Sequence, residues 1–232
     1  MAYQLSYLIG TLVLLVFWAA LFSWRKDIRR EMLIISVIFG IGGLLVDPVV
    51  AIDWWKSPTL TGTIPGIESF LYGFSTAGIA SVIFAGFFNR RLKIKKATKN
   101  QKKHFSKTLF SVILSVAAIF FFGVFALKLN SFQASFLALV IPTLIVWIKR
   151  RDLILNSIFS GILLVLVSLA AYHIPEIISP GWLESVWKFE YLSGITFLKI
   201  AIEDLIFIFT AGLLIGPLYE YSQETKLIKN KK

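Results

Sequence analysis

Seven apolar stretches, each close to the length that crosses a bilayer, alternate with short charged clusters along this chain. They run over residues 3–24, 32–52, 64–88, 108–128, 132–148, 153–173 and 196–219. About 20 apolar residues cover a hydrocarbon core of about 30 Å. These segments are apolar on every side rather than along one stripe, the pattern of a helix surrounded by lipid or by other apolar helices. Soluble domains carry roughly 25% charged residues, whereas 16% of these 232 residues are charged and 57% are hydrophobic. The pattern predicts an all-α polytopic membrane protein with seven transmembrane helices. The first stretch has no basic leader and is too long for a cleaved signal, so it is expected to stay as the first helix.

Basic residues orient the bundle. Segment 25–30 holds 4 of them, 89–107 holds 9, 149–151 holds 3 and the tail after Tyr219 holds 4. The intervening loops hold only Lys56, Lys128, Lys188 and Lys199. Cytoplasmic loops collect Lys and Arg, which predicts an outside N-terminus and an inside C-terminus in the cell (inner or plasma) membrane. The net charge of +11 is then a property of loops, and no nucleic-acid partner is expected. Segment 89–107 is expected to attract anionic lipid headgroups, at about 1 kcal/mol per basic residue near the surface. There is no cysteine, which excludes disulfides and thiolate sites. His104 and His173 stand in no ligand motif, so neither a metal nor a cofactor is expected.

A faint internal duplication follows. A loop rich in Trp, Pro and Gly after the second stretch (Asp53-Trp54-Trp55 to Pro65) precedes a helix containing Glu68. A second such loop (Pro175-Glu176, Pro180-Gly181-Trp182, Trp187, Gly194) precedes a helix containing Glu203 and Asp204. Aligning Glu68 with Glu203 brings Ile67 onto Ile202, Phe74 onto Phe209 and Ser75 onto Thr210. Two parallel three-helix units joined by one helix would produce this order. The expected units are 1–91, a basic loop and linking helix 92–131, a second triplet 132–221 and a basic tail 222–232.

Acidic side chains within membrane segments are rare, because the charged form costs about 2.5 kcal/mol or more at a helix centre. Asp47, Glu68, Glu176, Glu203 and Asp204 are all expected at the outer level. Each could simply complement a helix N-terminus. A carboxyl that holds or yields a proton near neutral pH can instead serve as general acid or base, and Glu at the equivalent place in both halves favours that reading. Lys199, four residues before Glu203, is expected to pair with it on one helical face.

The loop–helix junctions Pro65-Gly66-Ile67-Glu68-Ser69-Phe70-Leu71 and Gly194 to Phe207 resemble the membrane-embedded lycopene cyclase domain of carotenoid synthesis, the flavin-independent type. The sequence departs from that family's pattern at Ser69, where a second carboxylate is usual, and at Ala201, where proline is usual. The resemblance implies a protonation-initiated cyclisation of a linear C40 polyene. It implies Glu68, Glu203 and Asp204 as acid and base, with Trp54, Trp55, Tyr72, Trp182, Trp187 and Phe207 lining the substrate site. Cation–π contact would then stabilise the carbocation, although tryptophans also anchor helix ends at the interface. Two other readings stay open on the residues alone. One is a small transporter or channel with intramembrane carboxylates, and the other is a non-catalytic scaffold that recruits a partner through its basic loop.

Overall fold

The computed structural model describes residues 3–92, 99–225 and 227–229 of the chain. Its helices are α1 (Ser6–Trp24), α2 (Arg29–Asp53), α3 (Ile67–Phe87), α4 (Lys99–Phe125), α5 (Ser131–Lys149), α6 (Ile154–Ile178), the short α7 (Trp182–Val186), α8 (Ile202–Ile215) and α9 (Leu218–Gln223). Seven spans are long and apolar enough to cross a membrane, with α8 and α9 together forming the last. The protein is a multi-pass membrane protein. Its outer surface carries large apolar side chains such as Val16, Phe87, Ile148 and Ile177, as a lipid-facing belt requires.

Two short antiparallel pairs complete the fold. β1 (Arg90–Leu92) pairs with β4 (Leu227–Lys229) at the basic end of the bundle. β2 (Thr196–Phe197) pairs with β3 (Ile200–Ala201) at the other, loop-bearing end.

Element bounds recur at a fixed spacing. α1 and α5 each have 19 residues and start at Ser6 and Ser131, which are 125 positions apart. α2 and α6 each have 25 residues, again offset by 125. The 3₁₀ turns that join them, Lys26–Ile28 and Arg151–Leu153, keep the same offset. α3 and α8 begin at Ile67 and Ile202, offset by 135, because the second loop is ten residues longer and contains α7 and the β2–β3 hairpin.

One side-chain device recurs at the two 3₁₀ turns. Arg25 grips Asp27 through both carboxylate oxygens, at 2.9 Å each, and also donates to the carbonyls of Ala85 and Arg90. Arg150 grips Asp152 at 2.8 Å and donates to the Thr225 carbonyl. Arg90 and Thr225 are themselves 135 positions apart. Asp152 also holds the Arg150 guanidinium pKa above its ordinary value through that hydrogen bond.

Lipid gives apolar helices no solvent drive to associate, so close packing through small residues does the work. Gly40 and Gly43 of α2 fit against Phe70 and the Ser69 carbonyl of α3, and Gly161 of α6 meets Gly212 of α8. α5 starts with a capping box, Asn130 accepting from the Gln133 amide at 2.8 Å. Beside it the Ser131 amide and hydroxyl donate to Asp53 at the end of α2.

Several expected boundaries move. α4 begins at Lys99 rather than 108, because Lys and Gln are good helix formers and a helix need not stop at the membrane surface. Residues 93–98 of the expected basic loop lie outside the described residues. α6 runs through Pro175 to Ile178, which puts Glu176 inside the helix rather than beyond it. The last span starts at Ile202 rather than 196, since Leu198 and Lys199 take left-handed conformations (φ 51° and 64°) in the β2–β3 turn. Lys199 is therefore not on a helical face with Glu203. It pairs with Glu176 at 3.2 Å.

Candidate active site

The two long loops meet over the loop end of the bundle. The Lys56 amide donates to the Val186 carbonyl and the Lys188 amide to the Trp54 carbonyl, both at 2.9 Å, so Trp55 and Trp187 face each other as a short antiparallel bridge. Trp55 sits at the centre of an aromatic cluster, 4.6 Å from Trp187, 5.7 Å from Trp182, 5.8 Å from Tyr7 and 6.2 Å from Tyr172. Trp54 packs edge-on against Phe207 at 5.1 Å and Phe132 at 5.4 Å.

Three carboxylates fasten these loops. Glu68, fully buried in the first turn of α3, accepts the Leu60 amide at 2.7 Å. Glu203, in the first turn of α8, accepts the Ser193 amide at 2.6 Å. Each leaves its second oxygen buried and without a hydrogen-bond partner among the described residues. Glu176 accepts the Gly181 and Leu183 amides, both at 3.0 Å. A carboxylate is well suited to this task, since its oxygens accept charge-assisted bonds from backbone donors.

Beneath the loops lies a cavity of about 780 Å³. Its lining runs from Ile34 to Val50 along α2 and from Phe105 to Phe121 along α4. At 1.5 Å per residue each wall is roughly 24 Å long. Asp47 and Asp204 are the only carboxylic side chains lining it among the described residues. Ser69 donates to Asp47 Oδ2 at 2.8 Å, and the Tyr172 hydroxyl donates to Asp204 Oδ2. Tyr72 lies beside Tyr172, and its ring is 6.4 Å from that of Tyr7.

The recurrence in the fold relates these groups. Asp47 and Tyr172 are 125 positions apart, as α2 and α6 are. Ser69 and Asp204 are 135 apart, as α3 and α8 are. One half thus puts its acid on the first helix and its hydroxyl on the second, and the other half reverses them. Ser69, which departs from the usual carboxylate, serves Asp47 as a donor.

Of the acid candidates from sequence, Asp204 lines the cavity, whereas Glu68 and Glu203 lie outside its lining and hold the loops. Trp54, Trp55, Tyr72, Trp182 and Phe207 line it, and Trp187 stands behind Trp55. From sequence Asp47 is one of five acids expected at the outer level, and Tyr172 carries no signal of its own. The register of 125 would have pointed to Tyr172, but the short aligned motifs do not extend as far as α2 and α6.

A polar pair at one end of a long apolar bore suits a ligand that is a hydrocarbon with one reactive end. A family model described as lycopene cyclase matches residues 2–88 and 130–222, the two segments that contain the paired helix triplets. Comparison with curated proteins gave no match, nor did comparison with solved structures. The match takes in both halves and most of the chain, and the protein therefore belongs to the lycopene cyclase family.

Proposed function

We propose that this protein cyclises the acyclic end of a carotenoid by proton transfer between Asp47, Asp204 and the polyene. Family membership supplies the carotenoid class of substrate. The observation that carries the mechanism is the position of two acid–hydroxyl pairs at one end of a long apolar cavity. One carboxyl adds its proton to the terminal double bond of the polyene. The electron pair of a nearby double bond closes the ring onto the resulting cation. The other carboxylate removes a proton from a carbon next to the new cationic centre. One proton enters and one leaves, so the reaction is an isomerisation without net oxidation. Ser69 and Tyr172 hold the two carboxyls in place. The faces of Trp54, Trp55 and Tyr72 favour the cation, and the apolar walls keep away water that would capture it.

In this reading Glu68 and Glu203 are positioning residues. They hold the two tryptophan loops over the reactive end, and Trp187 and Phe207 fix the rings of Trp55 and Trp54. The molecule is two parallel halves joined by α4, with its loop end outside the cytoplasm and its basic end facing anionic headgroups at the inner surface of the cell membrane.

Coexpression with a source of linear carotenoid tests the proposal. Wild-type protein should yield ring-bearing products on chromatography, while Asp204→Asn and Asp47→Asn should yield none above background. Wild-type protein that neither cyclises the polyene nor retains it through purification would overturn the reading.

A further inference from the structure

The two halves close their equivalent seams differently. A Cβ added at Gly10 of α1 would lie 2.8 Å from the Ala171 carbonyl oxygen of α6, so these helices touch backbone to backbone. The positions 125 away, Ser135 in α5 and Val46 in α2, line the cavity as Gly10 and Ala171 do, but α2 packs far less closely on α5 than α1 does on α6. α2 reaches α5 at the loop end, where Asp53 holds Ser131 and where Val46 and Val49 pack against the cluster of Phe120, Ala134 and Ala138. α4, which has no counterpart in the other half, forms the far wall of the gap. Ile41 and Leu45 of α2 and Phe110 of α4 line the cavity, yet are 51%, 64% and 64% exposed. Residues of both kinds at once mark a mouth, and it opens sideways, where lipid would be.

Gly42 stands within this mouth and lines the cavity. Glycine is the poorest helix former after proline, and inside membrane helices it commonly serves close packing between helices. Gly40 and Gly43 do so, since a Cβ on either would collide with α3. Gly42 has no such contact. A Cβ there would meet nothing within 4 Å.

We infer that the gap between α2 and α4 is a lateral portal for the polyene, and that Gly42 sets its width. This rests on the reading given under Proposed function. The acyclic end threads inward to Asp47 and Asp204, and the rest of the chain trails through the portal into the bilayer. A substrate insoluble in water thus reaches the acids without leaving lipid.

The test is a graded series, Gly42→Ala and Gly42→Leu, with Val16→Leu on the lipid face of α1 as control. Ring formation, polyene retained per protein and thermal stability are measured for each. A portal predicts that Gly42→Leu loses at least about tenfold in ring formation, the scale on which apolar pockets discriminate by size, with a smaller loss for Gly42→Ala. Retained polyene should fall in parallel, and melting temperature should hold or rise because the helix improves. Wild-type conversion by a folded Gly42→Leu overturns the portal. So does a loss of conversion that merely tracks a fall in stability across the series, which would assign Gly42 to packing. If Gly42→Leu does not fold, the Ala variant decides by the same criterion. Wild-type protein with neither product nor bound polyene instead overturns the cyclase reading, and the portal with it.

Discussion

Asp47 and Asp204 line one apolar cavity from α2 and α8, and each accepts a hydrogen bond from a hydroxyl on the helix packed against its own: Ser69 of α3 and Tyr172 of α6. The two pairs share one design with the acid and hydroxyl exchanged. A reaction that needs a proton delivered and a proton removed can use such a pair of sites without a third group.

Replacing either acid by its amide keeps the shape and removes the proton transfer. Asp47→Asn and Asp204→Asn should each lower ring formation by about 10²–10⁴-fold, the usual contribution of a positioned acid or base. Polyene copurifying with the protein should remain near the wild-type amount. Ser69→Ala and Tyr172→Phe leave the carboxyl in place but remove its supporting hydrogen bond, together with those to Tyr7 and Tyr72, and should cost about tenfold. Product analysis at matched protein levels checks both. Equal, small effects from all four variants would remove the acids from the reaction.

Glu68→Gln and Glu203→Gln should behave differently. Each glutamate binds a loop amide outside the cavity lining. Hydrogen bonds to a charged group contribute about 1.5–3 kcal/mol net, so each variant should melt lower than wild type and be cut faster in loop 54–66 or 179–201 by added protease. A glutamine oxygen can still accept the amide, so activity should fall less than with the Asp variants. Glu68→Ala should be worse than Glu68→Gln in both measurements.

The sequence made the helices legible because the length and all-round apolarity of a membrane span are local properties. It made Glu68 and Glu203 legible as a pair, and in the structure each accepts a backbone amide of the loop that precedes its helix. The cavity was not legible. It depends on α1 packing closely on α6, as at Gly10 against Ala171, while α2 and α5 pack far less closely, and nothing in the sequence of either helix pair announces which will close. Asp47 and Tyr172 become meaningful only once that cavity exists. Asp204 stands out in sequence through its place beside Glu203, and of the two neighbours only Asp204 lines the cavity.

Arg25 and Arg150 perform the same duty at the basic end under different burial. The Arg25 side chain is 7% exposed and serves Asp27 and two carbonyls, whereas the Arg150 side chain is 20% exposed. Lysine cannot reproduce the planar fork that holds these partners together. Arg25→Lys should therefore cost about 2–3 kcal/mol, the scale of losing charge-assisted bonds from a buried group. Arg150→Lys should cost nearer about 1 kcal/mol, as befits a partly solvated pair. Thermal unfolding in detergent compares them, and a larger loss at Arg150 would contradict the burial argument.

Lys199 offers a test of how the second loop is held. Its ammonium lies 3.2 Å from Glu176 but its side chain is 57% exposed, and Glu176 already has two backbone donors at the start of α7. An exposed ion pair adds about 0–1 kcal/mol, so Lys199→Met should leave stability and ring formation close to wild type. Glu176→Ala leaves the Gly181 and Leu183 amides without their acceptor, and Leu183 is fully buried. That change should destabilise the loop by about 1–3 kcal/mol, the cost of stranding buried donors, and should lower activity by loosening Trp182 at the cavity wall. Combining the two substitutions should add nothing to Glu176→Ala alone, because among the described residues the lysine has no other carboxylate as a hydrogen-bond partner. An additive loss in the double variant would instead mean that Lys199 serves the site by a route independent of Glu176.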